Sequence, residues 1–366
     1  MKKLENRKNY LEGLIDILSN LVSCDSQNPP GDYKDITEYI YQYLAKNTDM
    51  KVYLQDLTIE KKNIIAIKGE PKILIAAHLD TVPVAGGWEG NSFKLREDSE
   101  KYYGLGVSDV KGAIASVLYA LSCAPPKNFM LLLNVDEESG DNDGVKIFLS
   151  SEFRKGIELV IVSEPTQMNI IRRHNGICNF EVNIYGRQAH SCLFGEGINA
   201  IERAGEVIYK LVKYKRGLRK KECAGLMPSL NIALINGGIK YNMVPDFCRI
   251  KVSRRFTPEE DVDEVKDEIK AVLCMERAYL EFKYIANAFV STILDEDYAM
   301  MQVCGGRNER DFVLFWSEAA LFEQSGIKAV LIGPGDIKDA HKANEWINKE
   351  ELIKAVNFYK KLFEKI

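Results

Sequence analysis

The chain has 366 residues with no CxxC pair among its eight cysteines, no HExxH segment, no repeat and no low-complexity tract. The cysteines stand at 24, 123, 178, 192, 223, 248, 274 and 304. Without a CxxC pair, neither a zinc ribbon nor a redox motif is indicated. Those inside apolar segments read as small buried hydrophobes, and a reduced, cytoplasmic protein is expected. Without HExxH the zincin class is unsupported. The N-terminus holds no unbroken apolar run. The opening MKKLENRKNYLEGLIDILSNLVS is interrupted by charges, while Leu11, Leu14, Ile15, Ile17, Leu18 and Leu21 recur at helical spacing. An amphipathic helix is expected there, not a signal peptide. No stretch approaches the roughly 18 apolar residues of a membrane span. Excess charge is missing too: 49 basic and 53 acidic residues give −4, without the basic footprint of a nucleic-acid partner.

What is present is an ordinary globular composition, 46% hydrophobic and 28% charged, at a length that predicts two domains. Residues 62–67, 72–77, 128–134 and 158–163 read as strands buried on both faces, with helical patterns at 111–123 and 142–150. That alternation predicts an α/β domain with a mixed, mostly parallel sheet flanked by helices. The middle changes character. A strand at 177–185, a helix at 198–213, strands at 229–236 and 247–255, a helix at 259–273 and a strand at 279–285 spell β-α-β-β-α-β. The α/β pattern resumes at 311–315, 317–324 and 328–332 and ends in a helix at 348–364. The expected division is therefore a larger domain of 1–174 and 286–366 with a module of 175–285 inserted into it.

The four histidines, His78, His174, His190 and His341, are few enough that their contexts carry weight. His78 closes the strand KILIAAH, and Asp80 two residues on shares its face if the strand geometry persists. A carboxylate beside an imidazole fixes its tautomer, a pattern of metal-bound histidines. Asp109, in YYGLGVSDVKGA, reads either as a helix cap or as a ligand. The glycines there lack the third member of GxGxxG and meet an acid instead, which disfavours a nucleotide-binding protein. NVDEESG places Glu137 and Glu138 directly after a buried strand, ELVIVSEPT supplies Glu164, and IGPGDIKDAH supplies His341. Functional side chains of such sheets gather at the carboxyl ends of strands. His78, Asp109, Glu138, Glu164 and His341 form an N/O donor set without thiolate, suited to zinc, with cobalt or manganese as substitutes. With one carboxylate shared, they could hold two ions roughly 3.5–4 Å apart.

The segments AHLDTVP, GLGVSDVKG, DEES, SEPT, RQAHS, GGIKYNMVP, FWSEAALF and GPGDIKDAH run in this order over nearly the whole chain. The sequence thereby resembles the M20 metallopeptidase clan, and within it the acetylornithine deacetylase branch. The resemblance implies that His78, Asp109 and Glu164 bind one zinc, and that Asp109, Glu138 and His341 bind the other. It makes Glu137 the general base and Asp80 the support of His78. It brings His190 on the inserted lid and dimerisation module to the reacting carbonyl, in some relatives from the partner subunit. Asn242 and Arg255 fall where relatives bind the substrate. SRR stands where many relatives have Asp, any residue, then Arg, which leaves Arg254 and Arg255 as alternatives. His174 reads as hinge or core, and Glu318 as structural or as a contact for a cationic side chain. The implied protein is a homodimeric two-zinc enzyme of arginine biosynthesis that deacetylates a small N-acyl amino acid, acetylornithine or acetylcitrulline. Desuccinylation of diaminopimelate, a lysine-pathway deacylation, dipeptide cleavage and a catalytically dead binding protein are the rivals.

Overall fold

The structure is a computed structural model that describes residues 2–58, 60–274 and 276–366, with side chains from residue 12 onward. Leu11 of the N-terminal apolar pattern lies outside the described side chains. The chain divides into two compact units. The first comprises Met1–Arg172, Ser291–Asp311 and Ser317–Ile366; the second comprises Arg173–Val290 and Phe312–Trp316. Strands of four or more residues are β1 (Lys51–Asp56), β2 (Lys62–Lys68), β3 (Ile73–His78), β4 (Phe129–Asn134), β5 (Leu159–Val162), β6 (Gly176–Tyr185), β7 (Ser229–Gly237), β8 (Phe247–Phe256), β9 (Ala278–Ala286) and β10 (Lys328–Leu331).

The first unit is built on a six-stranded sheet in the order β1-β2-β4-β3-β5-β10. The pairs β1/β2 and β2/β4 are antiparallel, whereas β4, β3, β5 and β10 run parallel. Every residue of β4 is buried, as its unbroken apolar run requires of a central strand. Alternate side chains sort to opposite faces. Ile64, Ala66, Ile75, Ala77, Leu131 and Leu133 join a core with Leu18, Leu118 and Phe358. Those three come from α1 (Lys2–Ser23), α3 (Gly112–Cys123) and α9 (Lys349–Phe363), and α2 (Lys34–Asn47) and α7 (Asp295–Cys304) add Ile36 and Met301 to the same core. Each such large side chain contributes roughly 1.5–3 kcal/mol on burial. The intervening positions, His78 and Asn134 among them, therefore face the other side. They are register partners at the ends of β3 and β4. On that side pack α4 (Asp143–Ser150) and α8 (Ala319–Gln324), whose Phe148 and Phe322 rings meet at 6.3 Å.

The second unit is an antiparallel sheet in the order β7-β8-β6-β9. Its helices are α5 (Ala200–Leu218) and α6 (Val262–Val272), each capped by a side chain, Asn199 and Asp261 respectively. Phe180, Val182, Ile250 and Val252 form its core with Val207, Leu211, Val265 and Ile269. Strand β8 alternates strictly between half-buried and buried positions, and this places Arg254, not Arg255, on the buried face.

Three details depart from the sequence expectations. Strand β1 is an exposed edge whose short apolar run, 52–54, gave no strand signal. The 311–315 run forms only Phe312–Val313, which pairs in parallel with Arg173–His174 and not with the large sheet. Of the cysteines, four are buried, but Cys123, Cys192 and Cys274 are exposed. Cys123 closes α3, where the buried face of the helix runs out. His174 is fully buried, its Nδ1 is 2.9 Å from the Asn175 carbonyl oxygen, and its ring packs on Phe289 and Trp316. It is a core residue of the second unit. Among the described residues, no helix is long and apolar enough to cross a membrane.

Candidate metal centre

Parallel strands all end on one edge of a sheet, and four such ends deliver the polar groups of the first unit. His78 is the last residue of β3; Glu137 and Glu138 follow β4; Glu164 follows β5; His341 lies on the loop after β10. Asp109 arrives on the turn before α3, through a left-handed Gly106 (φ +79). A Cβ at Gly106 would stand 2.7 Å from the Thr81 methyl, so both conformation and space call for glycine. The Asp109–Val110 peptide bond is cis.

His78 is 3% exposed. Its Nδ1 lies 2.9 Å from the Asp80 carbonyl oxygen and 3.8 Å from Asp80 Oδ1. The nearer bond is thus to the main chain, and it keeps the ring proton on Nδ1 and turns the Nε2 lone pair inward. Nε2 lies 3.2 Å from Asp109 Oδ1. On the other side of Asp109, His341 Nε2 lies 3.1 Å from Oδ2 and 3.0 Å from Glu138 Oε1. Three groups of ligand atoms each lie within 4.8 Å of one another: His78, Asp109 and Glu164; Asp109, Glu138 and His341; and His78, Glu137 and Glu138. The first two share Asp109. His341, with its side chain 45% exposed, forms the open edge of the cluster.

The electrostatics of this cluster suit divalent cations. Burial, reinforced by the neighbouring carboxylates, pushes the Glu137 and Glu164 carboxyls well above the usual range. Burial likewise raises Glu138. Burial opposes charge on Asp109, but bonds from His341 and His78 outweigh it and hold that carboxylate down. Hydrogen bonds to Asp109 and Glu138 raise His341 to about 11. Burial works against a charge on His78, yet Asp109, Glu137 and Asp80 outweigh it and raise the imidazole. Crowded acids that gather protons and histidines in this way present oxygen and nitrogen donors to a hard or borderline cation, and its charge would reverse the crowding penalty.

Three further residues support the cluster; the motif reading missed Glu345 and Asn134 and left the role of Glu318 open. Glu345, 2% exposed, accepts the Gly106 and Ser108 N–H groups at 2.8 Å and that of Asp109 at 3.1 Å. It thereby fixes the loop that presents Asp109, although nothing in the segment KANEWI signals such a task. Burial raises its carboxyl to about 7. Glu318 is sealed, 1% exposed, with Asn134 Nδ2 at 3.0 and 2.8 Å from its oxygens. It is therefore not a surface for a cationic side chain, and burial lifts its carboxyl to about 8. Asn134, a carboxamide ending the apolar run FMLLLN, was the available signal. Glu345→Gln is expected to weaken metal binding roughly 10- to 100-fold, since it loosens the support of a ligand and removes none; competition against a chromogenic chelator would measure this.

The remaining sequence-predicted residues belong to the second unit. His190 is exposed on a two-residue bridge with Met243–Val244, and Ser191 N donates to the Asn242 carbonyl oxygen at 3.0 Å, so His190 and Asn242 adjoin. His190 Nδ1 accepts from Cys192 N at 3.3 Å and lies 3.0 Å from its sulfur. Arg254 is wholly buried, with Nη2 2.6 Å from Glu260 Oε1 and Nε 3.3 Å from Tyr214 OH. Among the described residues, Arg255 has no carboxylate partner, and its Nη1 is buried without a hydrogen bond.

The site is thus a cluster of two imidazoles and several carboxylates, buried except at His341, at the carboxyl edge of an α/β sheet. A family profile, Peptidase family M20/M25/M40, matches residues 74–365. The chain belongs to that family and is a metal-dependent amide hydrolase. It is similar to the acetylornithine deacetylase of Myxococcus xanthus, 28% identical over 94% of this chain and 95% of the relative. It is also similar to the N-acetyl-L-citrulline deacetylase of Xanthomonas campestris, 30% identical over 94% and 96%. Among solved structures, the M20 family metallo-carboxypeptidase Sso-CP2 of Sulfolobus solfataricus has the same fold, with a TM-score of 0.78 at 18% identity, covering 96% of this chain and 98% of that one.

Proposed function

We propose that the protein is a two-zinc deacetylase acting on the α-nitrogen of a small N-acetyl amino acid, acetylornithine or acetylcitrulline. The observation that carries this reading is the pair of ligand triads sharing Asp109, with Glu137 beside them. His78, Asp109 and Glu164 would hold one ion; Asp109, Glu138 and His341 would hold the other. Bound there, the two ions supply Lewis acidity toward water and the acyl carbonyl. Glu137 takes the proton of the attacking water and returns it to the departing amine nitrogen, leaving acetate and the free amino acid. Because His190 Nδ1 accepts from a peptide N–H, its proton sits on Nε2, a donor suited to the acyl oxygen as negative charge grows there. With Arg254 committed to Glu260, Arg255 is the guanidinium assigned to the substrate α-carboxylate, with Asn242 assisting near His190. The names of the two relatives support this substrate class; a place in arginine biosynthesis, a cytoplasmic setting and a homodimer belong to the same proposal.

Acetate release across N-acetyl-ornithine, -citrulline and other N-acetyl amino acids tests the reading, beside N-succinyl-diaminopimelate and dipeptides. Preference for either of the last two would overturn the assignment. His190→Ala is expected to retain both metals and to lose roughly 100-fold in turnover, as for loss of one oxyanion donor. Arg255→Met is expected to act mainly on KM, raising it roughly 10-fold or more.

A further inference from the structure

Two carboxylates lie buried behind the Glu137–Glu138 turn, Asp80 at 1% exposure and Asp136 at 3%. Asp80 Oδ1 and Oδ2 accept the N–H groups of Glu137 and Glu138 at 3.3 and 2.9 Å. Asp136 opens the turn in a left-handed conformation, φ +68, and its carbonyl accepts from Asn142 N at 2.8 Å. One carboxamide joins the two acids: Asn28 Nδ2 lies 3.0 Å from Asp80 Oδ2 and 3.1 Å from Asp136 Oδ1. Tyr33 OH donates to Asp136 Oδ1 at 3.0 Å. Lys61 Nζ completes the ring of donors, 2.8 and 2.9 Å from the two Asp136 oxygens, with its side chain 30% exposed.

Two buried anions bridged by a neutral amide are costly unless a cation compensates them. Lys61 is that cation. Without it, the buried Asp136 carboxylate is left uncompensated, and a residue held at positive φ loses what holds it there. The two residues that follow are the proton acceptor and a metal ligand. We propose that Lys61, acting through Asp136 and Asn28, is a positioning residue that fixes the Glu137–Glu138 turn for cation binding and proton transfer. This rests on the roles given above to Glu137 and Glu138.

The test titrates the full, metal-stripped chain with Co²⁺ against a competing chelator and measures kcat and KM on the reloaded protein. Lys61→Met is expected to weaken one of two Co²⁺ equivalents roughly 10-fold, with a comparable fall in kcat and little change in KM. Lys61→Arg keeps the charge and stays near wild type. In the double variant Lys61→Met/Asp136→Asn a neutral amide replaces the uncompensated anion, and both losses are largely recovered. A merely structural role would lower the denaturation midpoint without separating the two equivalents, and a second substitution would not repair it. Wild-type Co²⁺ binding by Lys61→Met, or a double variant worse than the single one, overturns the proposal. A wild-type chain that binds two Co²⁺ but hydrolyses no substrate on the panel refutes the deacetylase reading, while the titration still decides the role of Lys61.

Discussion

Glu137→Gln is expected to lower turnover roughly 10²- to 10⁴-fold, the usual range for loss of a positioned general base, with metal content and KM close to wild type. Glutamine keeps the size and hydrogen-bonding reach of the side chain but cannot accept the proton of water. The geometry makes the substitution clean. Glu137 belongs to neither of the two triads that share Asp109, and its main-chain N–H is held by Asp80 whatever its side chain carries. Single-turnover measurements with metal analysis on the same sample would check both halves of the expectation. Near-normal turnover would remove Glu137 as the base, and lost metal would move it into the ligand set.

Removal of the metals is expected to be more drastic. Dialysis against a strong chelator should bring amide hydrolysis to background, and Zn²⁺, Co²⁺ or Mn²⁺ should restore it. Asp109→Ala should abolish activity irrecoverably, because it breaks both triads at once. Loading is also expected to weaken on acidification. In the metal-free protein Glu138 and Glu164 are raised and His341 lies at about 11, so these groups hold protons that an ion must displace. Affinity therefore rises with pH, and binding releases protons. An ion that binds only the folded chain also stabilises it, by about 2.7 kcal/mol at 100 times Kd, so the metal-free protein should melt earlier. Undiminished hydrolysis after complete demetallation would refute the two-ion reading.

The strands that carry the centre were legible because burial on both faces writes them as unbroken apolar runs, and a polar residue ending such a run stands out. His78 after ILIAA and Glu137–Glu138 after FMLLLNVD are read in that way. The supporting residues were not legible for the converse reason. Glu345 and Asn28 act on atoms 236 and 52 residues away in the chain. Their neighbours in sequence have loop composition, and only the folded path brings them to Asp109 and Asp80. Arg254 and Arg255 were indistinguishable as adjacent guanidiniums. Once β8 is placed, its period of two separates them, one under the helices against Glu260 and one without an acidic partner among the described residues. Strand β1 escaped because its apolar run is only three residues long, 52–54, and lies on an exposed edge, where Tyr53 and Leu54 are each 41% exposed.

The donor atoms come from positions 78 to 341, with the whole second unit threaded between Glu164 and the last histidine. A growing polypeptide would therefore expose an incomplete ligand set for most of its synthesis. The first triad is spelled out by residue 164, so a single ion could be captured early, whereas the second must wait for a segment about 180 residues later. A fragment ending before His341 should bind one equivalent at most, and arrival of the second ion would mark the moment at which the last strand-end loop of the first unit is in place.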